Sequence, residues 1–221
     1  MAEKFKIVYE DEWLIVLDKQ AGIVVTDEGR SEKESIEKIL ADKIKIKRSG
    51  IVHRLDKGTS GLLLVAKTAE VLADLKKQFK ERKVTKRYLA LVCGEASQEG
   101  REEVPIGRSR HVFGKFGASF EGKKAITEFK VLKRFESERG KMSLISINLL
   151  TGRTHQIRVH MSYLKWPLLG DKQYGGWKGK VINRPFLQAA YISFWHPGKK
   201  KQVEFESDLA DDLKEELKNY E

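Results

Sequence analysis

The 221 residues include 43 Lys and Arg against 32 Asp and Glu, a formal net charge of +11. That length can build one domain with a real core, and the cationic excess favours a polyanionic partner, because cations that displace counterions from phosphates bind nucleic acid whatever its sequence. A lone cysteine excludes an intramolecular disulfide, apolar runs of about five residues fall short of the ~20 that span a bilayer, and no apolar signal segment follows the start, so a cytoplasmic protein without membrane association is expected.

In chain order, residues 5–9 and 13–17 read as two short strands joined by an acidic turn, and 22–25 adds a third apolar piece. Residues 35–40 place Ile36, Ile39 and Leu40 at helical spacing. Next comes His-Arg-Leu-Asp-Lys-Gly-Thr-Ser-Gly at 53–61, running into the apolar stretch 62–66. This turn-prone segment sets one carboxylate, Asp56, between Arg54 and Lys57, directly before a buried strand. Neighbouring cations favour the ionised carboxylate, and a rigid strand behind the turn would hold it in place for covalent or electrostatic work. The plainer reading is a polar turn feeding a core strand.

Residues 69–82 are the clearest helix, with an apolar stripe of Val71, Leu72, Leu75 and Phe79 and with Lys76, Lys77 and Lys80 facing solvent. A strand at 88–92 runs into Cys93, read as a small core residue, and 94–103 reads as a polar loop. Residues 105–122 interleave Arg108, Arg110, His111 and Lys115 with Phe113, Phe116 and Phe120. So few core-forming residues predict a mobile, basic loop suited to phosphates and unstacked bases; an ordinary exposed hairpin is the alternative. Alternation predicts strands at 125–132 and 142–149. A helix follows at 154–164, stopped before Pro167, with Ile157, Met161 and Leu164 facing the core. Residues 170–179 form a Gly-rich loop, 189–194 a strand, and 207–220 a helix with Leu209, Leu213 and Leu217 on one face.

Strands predominate and helices are scattered among them, which predicts an α+β fold with a largely antiparallel sheet. With no repeat and no dividing linker, 1–221 is expected to be a single domain. His53, His155, His160 and His196 lack the spacing of a metal site, and 170–179 lacks a phosphate-binding loop pattern. A two-metal nuclease would need clustered carboxylates, whereas Asp56 has cations beside it.

Residues 53–68 resemble the catalytic signature of the RluA-type RNA pseudouridine synthases. The stretch 5–25 resembles that family's opening hairpin, and Lys-Arg-Tyr-Leu-Ala-Leu-Val at 86–92 resembles its second motif. Thr-Gly-Arg-Thr-His-Gln-Ile-Arg-Val-His at 151–160 resembles its third, followed by Pro-Leu-Leu-Gly-Asp at 167–171 and Tyr-Gly-Gly at 174–176. The resemblance implies a mixed, mostly antiparallel, bent central sheet flanked by helices and loops. It also implies isomerisation of a specific uridine in structured rRNA or tRNA, with the target base flipped out at a cost of a few kcal/mol.

On this resemblance Asp56 is the catalytic carboxylate, Tyr88 stacks on the uracil, and Arg158 is the cation facing Asp56. Arg54 fills the vacated stack or holds a neighbouring phosphate. His53, Lys57, Arg108, Arg110, Lys115 and Arg153 are the further candidates for RNA contact. The reaction adds no group and moves no net electrons, so neither cofactor nor metal is expected. A monomer is expected, beginning at the catalytic hairpin without the family's S4-type RNA-binding module, so that the catalytic domain itself holds the RNA. Gln20, Thr26 with Asp27, and Gln188 depart from residues frequent in the family, which bears on the target nucleotide. The alternative function is a non-catalytic RNA-binding or ribosome-assembly factor on the same fold.

Overall fold

A computed structural model describes residues 4–26, 35–109, 115–138 and 140–221. The chain forms two compact units, Met1–Thr85 with Ala189–Asp208, and Lys86–Gln188 with Leu209–Glu221. Its first segment carries β1 (Phe5–Glu10), β2 (Leu14–Lys19), α1 (Ile36–Leu40), β3 (Ser60–Ala66) and α2 (Ala69–Lys80). The second carries β4 (Thr85–Cys93), β5 (Glu99–Glu102), β6 (Ile106–Arg108), β7 (Phe116–Ala118), β8 (Thr127–Ser137), β9 (Gly140–Leu149) and α3 (Gln156–Tyr163). Then β10 (Leu187–His196) and β11 (Lys201–Glu206) return the chain to the first unit, and α4 (Asp211–Lys218) belongs to the second.

In the first unit the strand order is β1-β2-β3-β10, with β11 paired to β10. The pairings β1–β2, β2–β3 and β10–β11 are antiparallel. Every residue of β3 is buried, which is why its sequence is a continuous apolar run rather than an alternation. Leu14, Val16, Leu62 and Leu64 pack with Val71, Leu72 and Leu75 of α2 and with Ile192 and Phe194 of β10. Each such Leu or Phe contributes roughly 2 kcal/mol by leaving water.

Thr68 caps α2 by accepting the Val71 N–H at 3.3 Å, and Lys77 and Lys80 complement the dipole at its last turn. The stripe has one member that periodicity did not reveal. Gln78 is buried; its amide donates to the Trp195 carbonyl at 2.8 Å and accepts the Trp195 N–H at 3.0 Å, so it satisfies β10 backbone as a strand would. Lys76, expected to face solvent, is half-buried, and desolvation together with Arg48 and Lys47 lowers its pKa.

In the second unit the order is β4-β9-β8-β5, and β6 and β7 form a separate hairpin. All of these pairings are antiparallel, as expected. Leu91, Cys93, Phe135, Met142, Leu169, Ile182, Phe186 and Leu213 form the larger core cluster. A smaller one gathers Ile106, Ala125, Val159 and Tyr174, with Phe116 against it. The fully buried Glu216 docks α4: its carboxylate accepts the N–H groups of Lys180, Val181 and Ile182 and the Tyr220 hydroxyl.

The apolar piece 22–25 makes an isolated bridge from Val24 to Ser35. Two expectations need correction. Residues 94–103 are not all loop, because Glu99–Glu102 pairs with β8; it is a polar edge strand without the apolar alternation that marks half-buried ones. Residues 105–122, expected to be a mobile loop, contain the β6–β7 hairpin, anchored by the buried Ile106. In addition, β11 follows a run of lysines and gave no strand signal of its own, yet Val203 and Phe205 pack on the core.

Candidate active site

Asp56 sits on a short turn that is tied from two sides. The Thr59 N–H donates to the Asp56 carbonyl at 3.0 Å, closing the turn, and the Gly22 N–H donates to the Lys57 carbonyl at 2.7 Å. The loop that supplies Gly22 is itself held by Lys19, whose fully buried ammonium donates to the carbonyls of Gln20 at 2.8 Å and Ile23 at 3.1 Å. Thr59 and Ser60 are buried behind the turn, while Asp56 is half-buried and Arg54 and Lys57 are exposed. The half-buried carboxylate is thus carried just ahead of a wholly buried strand, with its two flanking cations exposed.

His53 has a part in the fold. Its Nε2 accepts the Leu64 N–H at 3.1 Å, and its ring stacks on Phe79 with centroids 4.8 Å apart. An accepting Nε2 places any ring proton of the neutral form on Nδ1.

In the second unit Tyr88 is buried on β4, in register with Ile147 of β9. Two residues earlier, and so on the same face of the strand, burial pulls the Lys86 ammonium down to about 8. Arg158 lies on α3. Its Nε donates to Asp171 Oδ2 at 2.7 Å, and its Nη2 donates to Asp171 Oδ1 at 2.8 Å and to Gln173 Oε1 at 3.0 Å. The Tyr174 ring centroid lies 4.8 Å from its guanidinium carbon.

The start of α3 is built by the rest of its motif. Gln156 accepts from the Thr151 hydroxyl and the Arg153 N–H, and donates to the Ile126 carbonyl and the Thr127 hydroxyl oxygen, at 2.7–3.0 Å. One buried amide therefore satisfies four groups and locks the helix entry. His160, fully buried, bridges the Thr127 hydroxyl and the Val104 carbonyl at 2.9 Å each; burial lowers its pKa. Arg153 is half-buried and donates from Nε to the Lys124 carbonyl at 2.9 Å.

Two of the basic candidates lie against aromatic rings of the same unit. Arg108 lies 6.0 Å from the Phe116 ring centroid and Lys115 5.1 Å from that of Tyr174. Arg110, with His111 and Phe113, lies outside the described residues. Among the described residues no group of three His, Cys, Asp or Glu side chains is placed to hold a metal ion, and no helix is long and apolar enough to cross a membrane.

Residues 13–163, which contain Asp56, Tyr88 and Arg158, match the family described as RNA pseudouridylate synthase. The chain belongs to that family. It is 38% identical over 221 residues to an uncharacterized RNA pseudouridine synthase, YlyB, of Bacillus subtilis, a match covering 96% of this chain and 72% of the relative. It is 36% identical over 227 residues to ribosomal large subunit pseudouridine synthase D of Pseudomonas aeruginosa, covering 95% of this chain and 70% of that one. The solved structure of human RNA pseudouridylate synthase domain containing 1 superposes with a TM-score of 0.73 at 29% identity, over 92% of this chain and 83% of that one.

The fold is accordingly that of the pseudouridine synthases, and membership makes the chain an isomerase with RNA as its substrate. Reading the pseudouridine synthase motifs by residue type did not find Asp171, Gln156 or Tyr174 as working parts of the site. The blocks at 167–171 and 174–176 were visible, but the roles of Asp171 and Tyr174 come from contacts with α3 that no local pattern encodes.

Proposed function

We propose that the chain converts a specific uridine in structured large-subunit ribosomal RNA to pseudouridine, with Asp56 as the catalytic carboxylate. The reaction breaks N1–C1′, turns the uracil in place and joins C5 to C1′; the C5 proton departs and N1 gains one. An anionic oxygen at Asp56 assists where positive charge grows as the glycosidic bond breaks, the logic that glycosidases also use. Tyr88 stacks on the uracil, and Arg158 is the cation that the third motif brings to the reaction. The target must leave its stack to be reached; Arg54 takes the vacated space or a neighbouring phosphate. Lys57, Arg108, Lys115 and Arg153 hold phosphates.

The observation that carries this reading is the doubly tied Asp56 turn ahead of a wholly buried strand. The relatives named as large-subunit synthases support ribosomal over transfer RNA. The test is to incubate the protein with ribosomal RNA lacking the modification and map pseudouridine by primer-extension stops. Wild type should create a new stop and Asp56→Asn none. Equal modification by Asp56→Asn would remove Asp56 as the catalyst, and tight RNA binding without any new stop on ribosomal or transfer RNA would favour a binding or assembly role.

A further inference from the structure

We propose that Tyr174 is a positioning residue that couples the β6–β7 hairpin to Arg158. The inference rests on the reading of the chain as an RNA-modifying isomerase and goes beyond it, since Tyr174 itself touches neither uracil nor phosphate in that scheme.

Tyr174 is 6% exposed, and its two chemically distinct ends contact different things. The hydroxyl oxygen accepts the Phe116 N–H of β7 at 3.2 Å, and it lies 2.9 Å from His155 Nδ1. One hydroxyl thus joins the β7 backbone to the imidazole. His155 is the residue that opens α3, held at φ 54°, a conformation a side chain rarely adopts. Arg158 follows three residues later. The ring, meanwhile, lies 4.8 Å from the Arg158 guanidinium carbon and 5.1 Å from the Lys115 ammonium. Two like charges are drawn to one aromatic quadrupole, and Asp171 balances one of them. The Tyr174 carbonyl also accepts from Ser162 of α3 at 2.8 Å, so the residue is fastened to the helix by its main chain as well.

This arrangement forms a continuous run of contacts. Arg108 lies by Phe116, Phe116 meets His155 edge-on at 6.0 Å, His155 meets Tyr174 at 5.7 Å, and Tyr174 carries Arg158. Cations on the hairpin that take up RNA phosphates thereby set the residue that opens α3 and the side chain three places along it. The hydroxyl transmits the hairpin; the ring seats the guanidinium.

Substituting each end separately tests the coupling. Tyr174→Phe keeps the ring and removes the hydroxyl; it should raise KM for RNA about three- to tenfold, the worth of a hydrogen bond, with kcat within about twofold. Tyr174→Leu removes both and should also lower kcat about ten- to hundredfold, as displaced active-site groups do. Hydrogen exchange at the Phe116 amide should quicken in Tyr174→Phe at a temperature where melting curves show the protein folded. Unchanged exchange at that amide, or two folded variants with wild-type kcat and KM, would overturn the coupling and leave Tyr174 a packing residue. If wild type formed no pseudouridine on any RNA, the functional reading would fall, while Phe116 exchange and RNA affinity of Tyr174→Phe would still decide the coupling.

Discussion

Arg158 and Asp171 meet through two parallel hydrogen bonds of 2.7 and 2.8 Å, with the carboxylate almost wholly buried. Paired N–H groups on a carboxylate fix the plane of the guanidinium, not only its position. Asp171→Asn leaves one acceptor oxygen and turns an N–H₂ toward the Arg158 fork. It should cost about 3–5 kcal/mol of stability, the range for a broken buried pair, and slow single-turnover modification roughly tenfold or more. Urea unfolding and single-turnover assays read the two effects; a variant of wild-type stability and rate would mean that Arg158 is oriented from elsewhere.

The hairpin cations give a different signature. If Arg108 and Lys115 each neutralise a phosphate, their alanine variants should weaken RNA binding and reduce the slope of log affinity against log salt by about 0.7–0.9 apiece. Fluorescence anisotropy across a potassium chloride series measures it. Slopes equal to wild type would place the phosphates elsewhere on the protein.

Stability should depend on Asp11 at acid pH. Partial burial pushes its carboxyl up, but hydrogen bonds from the Tyr9 hydroxyl and the Leu14 and Trp13 N–H groups, with the field of His196, bring it down to about 2 from an ordinary 3.8. A carboxyl depressed in the folded state stabilises above its unfolded value, and that stabilisation disappears as pH falls from 3.8 toward 2. It amounts to about 2 kcal/mol at most, since the group is partly open to solvent. Asp11→Asn should therefore melt lower than wild type at neutral pH, with the gap narrowing below pH ~3.5. A gap of constant size down to pH ~2 would contradict the assignment.

Gly61 should tolerate no side chain. It lies in β3 at φ +111°, and a Cβ there would stand 2.2 Å from the Ala189 carbonyl oxygen of β10. Gly61→Ala adds both a strained backbone and a collision of its Cβ with the β10 main chain, so it should lower stability by about 3 kcal/mol or more. The urea midpoint should fall at nearly unchanged slope; a loss under ~1 kcal/mol would mean that the strands can part at that point.

Where information is local, the residues were enough to place the elements. The helix read at 69–82, and formed at 69–80, was legible because its apolar stripe lies within its own span. The buried strand after Asp56 was legible because an unbroken apolar run cannot face water. Cys93 was correctly read as a core residue from its apolar neighbours. The strand Glu99–Glu102 was not legible, since an edge position needs no apolar face and its reason for existing is β8. Gln78 and Glu216 gave no local sign of burial: the Trp195 backbone that Gln78 meets is 117 residues away, and the N–H groups of Lys180, Val181 and Ile182 that Glu216 accepts are 34–36 residues away.

The same division runs through the site. Composition and motif order established a basic chain with one carboxylate set between cations, the opening of a rigid strand behind it, and a helix bearing Arg158. The order of the strands, the pairing of Arg158 with Asp171, and the meeting of Tyr174 with both His155 and the hairpin emerged only when the chain closed on itself. Short-range pattern reports which face of a segment avoids water. It carries no address for the distant group that each polar side chain will meet, because that choice is made by the packing of the remaining elements.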